Sequence, residues 1–381
     1  MNTKRIFPIV PLALLLACPA CGNLSDVPIL AEHVAYTPEG KLVVFTTAAT
    51  KVYEGDLTME TASIPAAPDV ETWGVASANL SADGLLAAVS YGGRARIYGI
   101  PGGQAVGAID VAEDSNSTQF SVLSPQGDFL FLWGGSTQGP DGQDVRFPGR
   151  SYQTSDGTPL WEVHPDFPLG SDYCSVWNDD NPPVFAADGE TLYVPLTDRV
   201  IAVDAKTGTA QIVLHAKACV NGLVVLPDGS LLVHRGWGRA SELRLENTPP
   251  SDAAQDESFA IYSPEGTLLR ELPAFAGYVT PGTWGAAQTP LACAPDGNTC
   301  VMYAEQGALD MEHYLQRHGA FLLVFRLDGT LLFPIELDRV ARNVTISPDG
   351  TRIAVATGGA RVYSLTDGTL LGQRDYAKGV F

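Results

Sequence analysis

The sequence predicts an all-β chain, a seven-bladed β-propeller of four-stranded antiparallel blades. The first ground is a Pro-Asp-Gly-type turn that recurs at Gly40, Gly84, Gly127, Gly189, Gly229, Gly297 and Gly350, about 40 to 70 residues apart. The second is apolar alternation at period two on both sides of those turns, the mark of paired strands. The third is a second glycine turn after each first one, at Gly55, Gly103, Gly157, Gly208, Gly266, Gly329 and Gly368. Self-similarity at this period means one supersecondary unit per copy.

The last repeat, Val340 to Arg374, shows the unit most plainly. Pro348 presets φ for the first turn position, Asp349 tolerates the bridge or left-handed region, and Gly350 supplies a positive φ. Val344 and Ile346 alternate with polar neighbours before the turn, and Ile353 and Val355 alternate after it. A three-residue turn is expected here. The Gly358-Gly359 turn, strand Ala360 to Leu365 and the Asp367-Gly368 turn complete four strands, named A to D in order. Ala88 to Tyr98 of the second unit repeats Ala354 to Tyr363 of the seventh almost residue for residue. Seven such sheets around an axis protect most of their own edges.

The body resembles WD-repeat and quinoprotein-type propellers. Val203-Asp204-Ala205-Lys206-Thr207-Gly208-Thr209 and Ser155-Asp156-Gly157-Thr158-Pro159-Leu160-Trp161 look like quinoprotein (PQQ-like) repeats. The likeness spans Ala31 to Arg374 and implies architecture. The Gly-His and Trp-Asp signatures of WD repeats are absent, as are the large insertions and adjacent cysteines of quinoprotein dehydrogenases, so no enzyme and no cofactor comes with the likeness.

The first residues form an export signal. Lys4 and Arg5 give a basic start, Ile6 to Ala17 an apolar run too short to span a bilayer, and Leu15-Leu16-Ala17-Cys18 a small-residue cleavage site. That stretch resembles the lipobox of bacterial lipoproteins, which implies an acylated Cys18 as the first mature residue. The alternatives are Cys21 as the acylated residue and an ordinary signal peptide cut after Ala17 or Ala20. The expected organisation is a signal peptide at 1–17, a tether at 18–30 and a propeller at 31–381, lipid-anchored on the periplasmic or cell-surface side of a bacterial membrane.

Composition agrees with a turn-rich β chain: 39 glycines, 27 prolines, 45% apolar and 17% charged residues. The formal net charge is −20. Such a surface repels nucleic acid and anionic headgroups, which argues against both as direct partners.

Because strands alternate in direction, A–B and C–D turns share one face of the ring, and B–C and D–A connections share the other. The first set stays short throughout; the length variation falls on the second, in blades three, five and six above all. Loops held by a rigid scaffold are where binding residues accumulate, so the B–C/D–A face is the expected functional surface. Gly134 to Gly149 is expected to be a flexible loop, Glu246 to Ser258 a solvated one, and Gln306 to His318 a short helix with Leu309, Met311, Tyr314 and Leu315 on one side. Trp73, Trp133, Trp177, Trp237 and Trp284, with Arg239 and Tyr314, lie in or beside these loops and suit a protein or glycan contact. The competing reading packs the tryptophans between blades.

No catalytic motif appears: no Gly-x-Ser-x-Gly elbow, phosphate loop or dinucleotide fingerprint. His313 and His318 are spaced off a common helical face, and Asn178-Asp179-Asp180-Asn181 lacks the spacing of a calcium loop. Four cysteines follow the leader, and an exported chain with an even number implies two disulfides. The expected pairs are Cys293–Cys300 and Cys174–Cys219; the first requires a four-residue A–B loop, since a three-residue turn would face the two cysteines to opposite sides.

These features lead to a monomeric, non-catalytic, membrane-anchored binding scaffold of the cell envelope, contacting an envelope protein or a glycan. That expectation rests on the likeness to propeller lipoproteins that serve as envelope scaffolds. The alternatives are a propeller enzyme (lyase, lactonase or sugar oxidoreductase) with its site at the channel mouth, and a small-ligand sensor. Two or more carboxylates with a histidine at the axis would favour the enzyme.

Overall fold

A computed structural model describes residues 30–66, 75–91, 94–110, 120–133, 136–138, 144–146, 149–163, 182–196, 199–216, 219–236, 258–273, 275–279, 290–308 and 316–376. These residues form seven antiparallel blade sheets, the sixth with an added fifth strand, and one separate two-stranded ribbon. The seventh blade is Asn343–Ile346, Arg352–Ala356, Ala360–Ser364 and Leu370–Arg374, and the first is Ala31–Tyr36, Leu42–Thr46, Ala49–Tyr53 and Glu60–Pro65. All-β architecture with seven four-stranded blades is therefore observed as the repeats predict. Blade seven takes its four strands from one continuous stretch, so neither Asp26 to Leu30 nor Ala377 to Phe381 is needed to complete it.

Each A strand packs against the A strand of at least one neighbouring blade, which places it innermost, at the axis. B strands come next and are buried on both faces. In blade one, Leu42 and Val44 face blade seven while Val43 and Phe45 face blade two. In blade seven, Ala354 and Ala356 face blade one while Ile353 and Val355 face blade six. A strand covered on both sides reads as a near-continuous apolar run. The core is consequently seven slabs, one per blade interface, rather than one central cluster.

The A–B turns come in two lengths. Blades one and five close a three-residue loop, with Thr37 N–H on Lys41 O and Leu226 N–H on Ser230 O. Blades two, three, four, six and seven close a four-residue loop; in blade seven Ser347 N–H bonds Arg352 O at 2.9 Å. The three-residue turn expected for blade seven is thus corrected: Thr351 joins the loop, its N–H on the Asp349 carboxylate at 3.1 Å.

The longer loop has a covalent consequence in blade six. Its register sets Cys293 directly opposite Cys300, and the two form the expected disulfide, with Cα atoms 4.0 Å apart. Closing so short a loop constrains the unfolded chain by at most about 2.5 kcal/mol. Reduction is expected to lower unfolding free energy by that amount or less, and a loss well above it in urea titrations would show that this bond carries native packing as well. Cys174 lies outside the described residues, and Cys219 opens the A strand of blade five without a described side chain.

Three other expectations change. Gly55 does not provide the C–D turn's positive φ in blade one; Leu57 does, at φ 64. Gly55 is instead a close-approach site, where a Cβ would run into Gly40 O and the Arg352 guanidinium. The Gln306–His318 helix is not formed at its ends, which continue the blade-six hairpin as strands Thr299–Ala308 and Gln316–Arg326. Gln306 pairs with Gly319 and Ala308 with Gln316, while Leu309, Met311, Tyr314 and Leu315 lie outside the described residues. The Gly134 to Gly149 stretch carries a two-stranded ribbon, Ser136–Gln138 paired with Asp144–Arg146.

Candidate binding face and the axial mouth

The A strands expose an unpaired edge toward the axis, and their N–H groups need partners. Neighbouring blades supply them for Val34 and Leu123. Asn343 of blade seven accepts Val34 N–H of blade one at 3.0 Å. Asn79 of blade two accepts Leu123 N–H of blade three at 2.8 Å and donates to Ser121 O, which Ser77 Oγ also reaches at 3.1 Å. These asparagines knit adjacent blades at the edge where a sheet would otherwise accept a foreign strand.

Near the B–C/D–A end of the axis sit Glu32, His33 and Arg342. Glu32 is buried and salt-bridged to Arg342. Burial raises its pKa despite that guanidinium. His33 has a ring nitrogen 3.3 Å from Ala76 O, and burial lowers its pKa to about 4. The imidazole is thus neutral at pH 7, and the adjacent Glu32 carboxylate is committed to Arg342. Among the described residues no group of three His, Cys, Asp or Glu side chains is placed to hold a metal ion.

Outward across the same face, arginines stand in ion pairs. Arg96 reaches Asp110 at 2.8 Å, Arg150 reaches Glu162 at 2.9 Å and Arg235 reaches Glu271 at 3.1 Å. Arg361, 7% exposed, holds Asp375 at 2.8 Å and Asp338 at 3.4 Å. Among the described residues these arginines of the face are matched, and they form no open basic cleft.

Of the aromatic residues expected on the surface, only Trp133 is described, and it is corrected to the core. It ends the B strand Phe129–Trp133, is 4% exposed, and stacks on Phe131 at 6.1 Å between blades three and four. Its position beside a long loop suggested exposure, but a B strand is covered on both faces to its last residue. Trp161 also joins blades three and four, its indole N–H on Ala205 O at 2.8 Å. Trp73, Trp177, Trp237, Arg239, Trp284 and Tyr314 lie outside the described residues. So does Cys18.

The chain-order signal for the axial residues was faint. Glu32-His33 is a polar pair inside an otherwise apolar first strand. His234 is a second buried imidazole, on the B strand of blade five. It packs on Phe259 at 4.8 Å, and its Nδ1 has no hydrogen-bond partner among the described residues.

No family model and no curated protein matches the chain. Solved structures do match its fold. Hydrazine synthase of Kuenenia stuttgartiensis aligns at TM-score 0.59 with 14% identity, over 89% of this chain and 96% of that one. The β-propeller domain of Cps50 (Swd1) from Myceliophteria thermophila aligns at TM-score 0.58 with 11% identity, over 88% and 97%. At such identities the likeness establishes a β-propeller and nothing about activity.

Proposed function

We propose that the protein is an exported, lipid-anchored propeller that binds another envelope protein or a glycan through its B–C/D–A face and acts as a scaffold without catalysis. The observation that carries this reading is one-sided elaboration. Every A–B turn uses three or four residues. The opposite face bears the Ser136–Gln138/Asp144–Arg146 ribbon, the prolonged blade-six hairpin and the added strand Tyr278–Val279. A rigid ring that varies on one face alone is the arrangement expected of a presentation scaffold. The matched ion pairs on that face suit a neutral, polar contact better than an anionic small molecule. Cys18 supplies the anchor, and a monomer suffices.

The test is in-cell crosslinking and purification from detergent-solubilised envelopes, comparing the native chain with a Trp177→Ala/Trp237→Ala/Trp284→Ala variant. One discrete partner, lost in the variant, is the expected outcome. Absence of any partner with the native chain would overturn the scaffold reading and turn attention to substrate screens for a propeller lyase, lactonase or sugar oxidoreductase.

A further inference from the structure

We propose that the outer rim of blades five, six and seven is a second interaction surface, separate from the B–C/D–A face. It takes an amphipathic segment of a partner protein, apolar side chains flanked by lysine or arginine. The observation behind it is where the exposed apolar side chains stand. Nine large ones are exposed among the described residues, and seven of these lie on the outermost D strands of blades three to seven. Five belong to three consecutive blades: Leu268 and Leu269 on strand Leu268–Pro273, Leu332 on strand Leu331–Leu337, and Leu370 and Leu371 on strand Leu370–Arg374. Each is 37% to 59% exposed. Apolar side chains scattered singly are ordinary on a surface, whereas grouped ones mark a contact. Blades one and two hold Glu60-Thr61 and Ala105-Val106 at the same place.

A repeated device sets these leucines outward. Every C–D pair carries a β-bulge. In blade five Tyr262 pairs with Leu268 and Ile261 with Arg270, so Leu269 is the extra residue; Leu332 and Leu371 hold that position in blades six and seven. A bulge interrupts the ladder at an open edge and blocks addition of a foreign strand. The rim therefore offers side chains rather than a backbone edge. The three blades also join along this line. Arg270 donates to Leu327 O in the C–D turn of blade six at 3.1 Å, and a Cβ on Gly368 in the C–D turn of blade seven would lie 3.1 Å from the Ile335 side chain.

Charge says what covers the leucines. All A–B and C–D turns lie within the described residues, so their charge is known in full. In blades five to seven they carry Asp228, Asp296, Asp349, Glu265, Asp328 and Asp367 against Arg326 and Arg352. Arg352 is paired with Asp349 at 3.2 Å. Ser263, Thr330 and Thr369 donate to Glu265, Asp328 and Asp367 and hold these carboxyls below their usual range, so they stay ionised. On the D strands themselves, Arg270 and Arg374 donate to backbone carbonyls, and Glu271 and Glu336 add further negative charge. A leucine row bordered by ionised carboxylates complements an apolar segment flanked by cations. It repels a second copy, whose rim carries the same sign, and an anionic bilayer likewise.

Photo-crosslinking in cells with the full chain tests the surface. The crosslinking amino acid is placed at Leu269, 59% exposed, or at Leu85, 58% exposed in the A–B turn of blade two, and the joined segment is sequenced by mass spectrometry. One protein is expected from Leu269 and not from Leu85, joined through a segment with apolar residues and a net positive charge. With the probe kept at Leu269, Leu332→Ser/Leu371→Ser is expected to lower capture about tenfold, an unchanged urea midpoint showing that the ring is intact. A net-negative or wholly polar segment, equal capture from Leu85, capture of lipid or of a second copy, or no capture overturns the proposal. So does capture that the serine variant leaves unchanged. The Trp177→Ala/Trp237→Ala/Trp284→Ala variant is expected to keep this capture, so the two surfaces fail independently; its loss in that variant would overturn their separateness.

Discussion

Acidification from pH 7 to pH 4 is expected to remove on the order of 6 kcal/mol of unfolding free energy through two imidazoles, about 3 kcal/mol from each. Burial lowers the pKa of His33 from 6.5 to about 4 and that of His234 from 6.5 to about 3. Between those values and 6.5 the unfolded chain binds protons that the folded chain refuses, so stability rises with pH and is lost as pH falls. The loss begins near 6.5 and continues toward the folded-state values. Arg342 adds to the effect at His33 by repelling a second positive charge. Glu32 works against it, because burial raises its pKa and it accepts a proton more readily in the folded state. The turn aspartates enter later: Asp349, held low by Ser347, gives up its contribution only as pH falls below its ordinary 3.8.

Urea unfolding across this pH range measures the effect, and His234→Leu assigns it. Because His234 Nδ1 has no hydrogen-bond partner among the described residues, the leucine variant loses no bond there. It is expected to stay within about 1 kcal/mol of the native chain at neutral pH, with a clearly shallower slope below 6.5. A slope unchanged in His234→Leu would remove this imidazole from the explanation.

The second large effect lies where the ring closes. In blades one to six an equivalent place on strand D holds a buried aliphatic: Ile64, Ile109, Val163, Leu214, Leu272 and Ile335. Blade seven places the exposed Arg374 there, with its guanidinium on the carbonyls of Leu57 and Thr58 at 3.1 Å each. The missing apolar volume comes from across the seam. Leu57, 2% exposed, packs with Val44, Tyr53 and Val362. It does so at a positive φ that the C–D turns of the other six blades assign to glycine. Burial of the side chain offsets a backbone conformation that costs about 1 kcal/mol or more.

Leu57→Ala is expected to destabilise the protein by about 3 kcal/mol through lost burial and the cavity left behind. Leu57→Gly loses the same contacts but relieves the strained backbone, so it should be no worse than alanine, against the usual penalty for glycine. A glycine variant clearly less stable than the alanine variant would show that the positive φ is not under strain.

How far the sequence was legible follows from which interactions are local. Pro348-Asp349-Gly350 encodes its turn through its own φ preferences, and the seven copies therefore yield the blade count. The Cys293–Cys300 bond was readable for the same reason, since it depends on one hairpin's loop length. Gly55 misled because a glycine that permits close approach looks identical, in sequence, to one that supplies a positive φ. Leu309, Met311 and Tyr314 have helical spacing, yet the flanking residues answer to cross-strand partners that spacing does not reveal. Trp133 and the axial Glu32-His33 pair take their environment from the neighbouring blade, and no local pattern carries that information. Arg374 and Leu57 lie 317 positions apart, and only closure of the ring relates them.

Division of the core into seven separate slabs makes the starting point of the chain a matter of connectivity rather than of energetics. Leu30 lies against the Gly358 turn, and Tyr376 donates to Tyr53 Oη at 3.0 Å, so both ends of the described body meet blades at one seam. Joining those ends and cutting any other inter-blade connection would leave every slab with its own two blades. The order in which the blades are written would change, while the set of contacts would stay the same.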